Sequence, residues 1–183
     1  MAEGSPTVMN IILEIIINIL LLVLLPWLMA AASVFVHEMG HAAGYMLTTK
    51  GRSWHIIVGS GKRLFATKRF AVNLIPFGGR FLPKEIERLD SAKKQLAMLI
   101  GGPLATLILL IPLVILRINL AKLGALDILG ANAVKFLANF PLFYNLILLV
   151  ISLFPAPYTF SVAKGLDSDG LQIYKLLKRS RDL

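Results

Sequence analysis

Between Ile11 and Val36 nearly every position is apolar, Glu14 being the one ionisable residue, and the run continues to about Leu47. As unbroken helix it would be roughly 55 Å long, well beyond the roughly 30 Å hydrocarbon core of a bilayer. No turn sequence divides it into two adequate spans. It therefore predicts one long first span over 11–47, tilted, protruding or kinked at Pro26. Two further apolar runs, 96–118 and 131–154, predict a second and third span, the last closed by Pro155-Ala156-Pro157. Beyond them Leu171, Ile173, Tyr174 and Leu177 fall at helical spacing, which predicts an amphipathic helix over 170–178, too short to cross a membrane. The pattern changes between the first two spans. Ser53–Val58 and Lys62–Ala66 read as strands joined by a hairpin turn at Gly59-Ser60-Gly61, and Arg69–Ile75 is a further strand-like run ended by Pro76-Phe77-Gly78-Gly79. An open sheet edge cannot face lipid, so this insertion, about 52–80, belongs at a mouth of the protein or in a protein-lined cleft. There its edge is able to receive an extended peptide by strand addition, or simply to plug the mouth. The predicted fold class is thus an all-α polytopic membrane protein with three transmembrane helices, a small β-hairpin or sheet insertion and a short C-terminal amphipathic helix.

Composition agrees with the pattern. The 183 residues are 57% hydrophobic and 16% charged, with a mean hydropathy of +0.76, which excludes an ordinary soluble domain. There is no cysteine, which removes thiolate ligands and thiol nucleophiles. Residues 1–10 carry only Glu3 as an ionisable side chain, so the first run is expected to remain as a span rather than act as a cleaved leader. Of the 19 basic residues, 11 lie between Lys50 and Lys94, while Lys164, Lys175, Lys178, Arg179 and Arg181 mark the C-terminal tail. Counting positive charge predicts that residues 48–95 and the tail are cytoplasmic, with the N-terminus and the 119–130 loop outside. The net charge of +9 is then membrane topology, aided by anionic headgroups, and no nucleic-acid partner is expected.

The chemistry sits in the first span, at His37-Glu38-Met39-Gly40-His41. Two histidines four apart share one helix face and are close enough to hold one metal ion, and Glu38 beside them has the chemistry to take a proton from water. Such groups at membrane depth are costly unless they line a cavity and serve a purpose. A catalytic zinc site needs a third protein ligand. Asp127 lies at the wrong end, in the outer loop, and Glu14 is roughly 35 Å of helix from His37. Asp169, followed by Gly170 at the head of the last helix, is the strongest candidate, with Asp167 and His55 as alternatives. Asp167 and Ser168 also suit an ordinary helix cap. Asp169 reaches the site only if the segment from Pro155 to Lys164 folds back into the bundle. Gly40 and Gly44, with Ala42 and Ala43, and the Gly101-Gly102-Pro103 element suit close helix packing. Asn145, inside the third span, suits either a bundle brace or a substrate contact.

The stretch Phe35-Val36-His37-Glu38-Met39-Gly40-His41-Ala42 resembles the catalytic helix of the site-2 protease family of intramembrane zinc metalloproteases. Asn73-Leu74-Ile75-Pro76-Phe77-Gly78-Gly79, Gly101-Gly102-Pro103-Leu104-Ala105 and Ser168-Asp169-Gly170 resemble further elements of that family in the same order. Where the family carries an asparagine-containing turn, Ser152–Pro157 stands here, with serine at the asparagine position. The resemblance implies one membrane-embedded metalloprotease domain over 1–183, a minimal member located in a prokaryotic cell membrane. It implies one Zn2+ per chain held by His37, His41 and Asp169, with Glu38 activating water. The substrates it implies are transmembrane or membrane-adjacent peptides within the lipid bilayer. The rival expectation is a catalytically silent membrane protein that binds a partner's transmembrane segment. A metal transporter would need ligands spread over several spans.

Overall fold

The computed structural model describes residues 7–122, 131–159 and 163–181. Its longest feature is the continuous helical stretch Val8–Thr49, made of α1 (Val8–Ile19), a π-helical turn (Leu20–Leu24) and α2 (Leu25–Thr49). The π turn ends two residues before Pro26. Proline has no N–H to give and its ring crowds the carbonyl one turn back, so a widened turn is where that conflict is accommodated. The Leu25 N–H accordingly reaches back to the Leu20 carbonyl. None of the α1 side chains is buried, as suits a helix surrounded by lipid.

The chain then forms a two-stranded sheet from β1 (Trp54–Ala66) and β2 (Phe70–Pro83). Next comes α3 (Ala92–Lys122), followed by α4 (Ala131–Leu153) and α5 (Asp169–Arg181). Val8–Thr49, Ala92–Lys122 and Lys135–Leu153 are long and apolar enough to cross a membrane, giving three spans and a multi-pass integral membrane protein. Of the expected outer loop 119–130, residues 119–122 continue α3, and 123–130, with Asp127, lie outside the described residues.

The sheet departs from expectation at one place. Gly59-Ser60-Gly61 is not the reversing turn between two mutually paired strands. It is a bend inside β1, with φ of +76° at Gly59 and +79° at Gly61, and the chain reverses at Thr67–Arg69. Both halves of β1 pair with β2: Trp54–Val58 with Gly79–Pro83, and Arg63–Ala66 with Ala71–Asn73. Ile56 also meets Phe70, so the first half of β1 has β2 on both sides. Asn73 holds the bend by donating from Nδ2 to the Gly59 carbonyl at 2.9 Å. A pair of positive-φ glycines satisfies a bend as readily as a turn; the distant partner strand decides between them.

The buried core lies between α2 and this sheet, with Val34, Ala42 and Tyr45 packed against Trp54, Ile56 and Val58. α2 and α3 meet backbone to backbone. A methyl group on Gly40 would collide with the Gly101 carbonyl, and one on Gly44 with the Ala97 carbonyl. Small residues permit this approach, and it lets dispersion act where lipid offers no hydrophobic driving force. In an unpacked helix, replacing glycine by alanine stabilises by about 1 kcal/mol. At Gly40 the sign should invert: Gly40→Ala is expected to destabilise by about 1–3 kcal/mol through overpacking. Thermal unfolding in detergent, with the half-exposed Leu104→Ala as a control, reads this out.

Candidate metal centre

His37, Glu38 and His41 are all buried on α2, with 4%, 5% and 6% of their surface exposed. The histidines are edge-on to one another, ring centroids 4.9 Å apart, as their four-residue spacing requires. Each imidazole is fixed by α3 through Nδ1. His41 Nδ1 lies 2.8 Å from the Met98 carbonyl, which can only accept, so Nδ1 carries the proton. His37 Nδ1 lies 2.8 Å from Thr106 Oγ1, whose own hydrogen goes to the Gly102 carbonyl at 3.3 Å. Thr106 therefore accepts from His37. With Nδ1 engaged on each ring, Nε2 is the atom left to ligate, and both Nε2 atoms turn toward one point, the arrangement by which outer partners set a metal-binding tautomer. Gly102 lies under His41, and a Cβ there would run into the imidazole ring.

Asp169 comes from the far end of the chain. The segment after α4 turns back on itself: Pro157 bridges Asp167, and the Tyr158 N–H donates to the Leu166 carbonyl at 2.8 Å. Ser168 closes the return. Its hydroxyl donates to the Phe154 carbonyl at 2.6 Å and accepts the Leu171 N–H at 3.1 Å, capping α5. Gly170 rests on the Leu153 carbonyl, where any side chain would collide. These contacts fold Asp169, the first residue of α5, into the bundle, although residues 160–162 of the connecting segment lie outside the described residues.

The three donor atoms form a nearly equilateral triangle. His37 Nε2 and His41 Nε2 are 3.2 Å apart, and Asp169 Oδ2 is 3.3 Å from the first and 3.4 Å from the second. Zinc bonds of about 2.0–2.1 Å in a tetrahedron place ligand atoms roughly 3.3–3.4 Å from each other. The spacing and the donor set, two imidazoles and one carboxylate, therefore fit a zinc ion with one position left open. Burial alone would raise the Asp169 carboxyl, but His41 and His37 overturn that and hold it well below the usual carboxylate range. The ionised carboxylate is the form in which an aspartate can bind a metal.

Glu38 lies next to this triangle without joining it. Its carboxylate faces the Phe81 backbone on β2, and Gly79 presses against its side chain so closely that a Cβ would not fit. Two cavities meet here. One, of about 450 Å³, runs between β2 and α5 and includes Arg80, Asp167 and Gln172 in its wall; the other, of about 350 Å³, runs between β2 and α4. His37, Glu38, Gly79, Tyr158 and Ala163 border both. Burial, with the Asp169 and Glu38 carboxylates adding to it, pushes the Tyr158 phenol up, so it stands at this junction as a hydroxyl.

The other residues singled out in the sequence lie elsewhere. Asp167 lines the polar cavity but pairs with Lys175 at 2.6 Å, and His55 sits in β1 with Nδ1 3.3 Å from the Lys68 carbonyl. Neither belongs to the cluster, which among the described residues is His37, His41 and Asp169. Asn145 braces the bundle: it is fully buried and donates to Ser33 Oγ on α2 at 2.8 Å. Ser152 turns back onto its own helix, donating to the Leu149 carbonyl. Thr106, Met98 and Tyr158 escaped the sequence reading, since a threonine or methionine in an apolar span and a tyrosine in a loop carry no local mark of a role.

Three membrane-spanning helices around a buried His-His-Asp cluster with an adjacent glutamate define an intramembrane metalloprotease architecture. Residues 25–164 match Peptidase family M50, the site-2 protease family, and the chain belongs to it. The match ends before Asp169, so that residue joins the site on geometry. No curated protein and no solved structure matches the chain. If Thr106 sets the His37 tautomer, Thr106→Val should weaken zinc affinity about 10- to 100-fold. Competition against a chromophoric chelator measures this, with unchanged thermal unfolding of the metal-free protein showing that the fold is intact.

Proposed function

We propose that residues 1–183 form one membrane-embedded zinc endopeptidase domain that cuts peptide bonds in or near transmembrane segments of other membrane proteins. His37, His41 and Asp169 hold one Zn2+, and Glu38 is the general base. The observation that carries this reading is the donor triangle of 3.2–3.4 Å with the buried Glu38 carboxyl beside it. A site serving structure alone has no use for Glu38, which is buried at a cost that only a partner or a task repays.

Zinc, when bound, supplies a Lewis acid that polarises the scissile carbonyl and makes water acidic enough to ionise near neutral pH. Glu38 takes the proton from the attacking water and passes it to the leaving amine, a role its position beside the open face of the triangle allows. Thr106 and the Met98 carbonyl keep the imidazoles in register. The cavity between β2 and α5, with Arg80, Asp167 and Gln172 in its wall, offers water the more polar approach to Glu38. A helical substrate hides its carbonyls in its own hydrogen bonds, so it must unwind before the bond can be presented. The concentration of basic residues between Lys50 and Lys94 and in the tail supports a cytoplasmic position for the sheet and α5, with the N-terminus outside.

Elemental analysis of purified protein should give about one zinc per chain, lost in His37→Ala and in Asp169→Ala. Glu38→Gln should keep its zinc while cleavage of a membrane peptide falls by at least about 100-fold. Full zinc retention in Asp169→Ala would remove that residue from the ligand set. Zinc binding with no peptidase activity in the wild type, across a panel of membrane peptides, would favour the silent partner-binding protein.

A further inference from the structure

The two cavities that meet at Glu38 are chemically unlike. The first is mixed: Arg80, Asp167 and Gln172 share its wall with Leu82, Ile86 and Leu99, and it is the more polar of the two. The other is walled by Phe77 on β2 and by Tyr144, Ile147, Leu148 and Ile151, a single helical face of α4. Its two walls are tied together. Tyr144 donates its hydroxyl to the Pro76 carbonyl at 2.9 Å and stacks on Phe77 with ring centroids 6.4 Å apart. The tie makes the chamber a shaped space at the bend of β2, where Gly78 takes a φ of +73°. At about 350 Å³ it is large enough for a bulky side chain. An apolar space of this kind does not hold water well.

Resting on the endopeptidase reading, we propose that this apolar chamber is a specificity subsite that takes a bulky apolar side chain from the membrane segment of the substrate, adjoining the scissile bond. The continuity of the chamber with the reacting centre supports this occupant. His37 and Glu38 are shared walls, so a side chain lodged there belongs to a residue at or next to the bond beside Glu38. The chain leaving the chamber passes Gly79 and Tyr158 into the polar cavity. The geometry thus selects a site where an apolar segment gives way to a polar one, rather than one deep within a uniform span. Leu148 and Ile151 set the depth of the chamber, and Tyr144 holds its floor in place.

The test uses full-length protein in lipid nanodiscs and a fluorescent peptide with an apolar span and a polar tail, scanned with Phe or Ala across its polar boundary. The wild type should favour Phe over Ala at one scanned position by about 10- to 100-fold in kcat/KM. Leu148→Trp, which fills the chamber, should reduce that preference to within about threefold. Ile151→Ala, which enlarges it, should admit Trp at the same position, and it decides the matter if the first variant does not fold. Leu146→Trp, on the exposed face of α4, should leave the preference as in the wild type. Cleavage with the same Phe preference in both chamber variants overturns the inference and leaves the endopeptidase reading standing. That result, with altered retention of a labelled lipid instead, would assign the chamber to an acyl chain. Peptide binding to the Glu38→Gln protein is measured in parallel. Chamber-dependent binding without any wild-type cleavage overturns the endopeptidase reading instead, and neither binding nor cleavage overturns both.

Discussion

The contact between the backbones of α2 and α3 governs everything that follows it. Gly40 against Gly101 and Gly44 against Ala97 bring the helices closer than side chains would permit. Only at that distance do the Met98 carbonyl and the Thr106 hydroxyl reach the two imidazoles, at 2.8 Å each. In lipid there is no hydrophobic force between helices to restore a slightly parted pair. A small separation would free the histidine rings to turn and blunt the convergence of their Nε2 atoms. The precision of the donor triangle is thus inherited from Gly40, Gly44 and Gly101, which have no side chains at all.

The sheet and α4 build the surroundings of that triangle. The β2 end presses Gly79 and the Phe81 backbone against Glu38, while α4 supplies the apolar face of the chamber that adjoins it. The same carboxylate therefore faces two environments at once. A polar approach suits the delivery of water, and a dry one suits the capture of an apolar chain. On the proposed function, their meeting at one residue suits hydrolysis of an apolar peptide, since each reactant is poorly soluble in the other's medium.

Spans were legible in the sequence because lipid imposes a single demand, length without charge, and the observed helices lie within a few residues of the runs that predict them. The His37–His41 pair was legible because helical spacing alone puts both rings on one face. The sheet's register was not. Positive-φ glycines at 59 and 61 announce a change of direction, but whether it is a bend or a reversal depends on β2, many residues away. For Asp169 the local marks were present: a serine cap, a glycine and an acidic residue opening a helix. What could not be read was the return of the chain, which hangs on the Ser168 hydroxyl reaching Phe154 and on Gly170 meeting Leu153. Thr106 was hidden for a different reason, because a threonine satisfied by its own helix looks the same in sequence as one that steers an imidazole.

The wide separation of Asp169 from the histidines in sequence has a bearing on how the protein comes to life. His37 and His41 are made early and Asp169 only after the third span has followed them, 132 positions beyond His37. While the nascent chain is being inserted, the pair of imidazoles on the first span lacks its carboxylate partner. The centre closes only when α5 docks at the end of α4. On the proposed function, the order of synthesis acts as a safety catch: the first span can enter the membrane beside other newly made helices before the three donor residues are together.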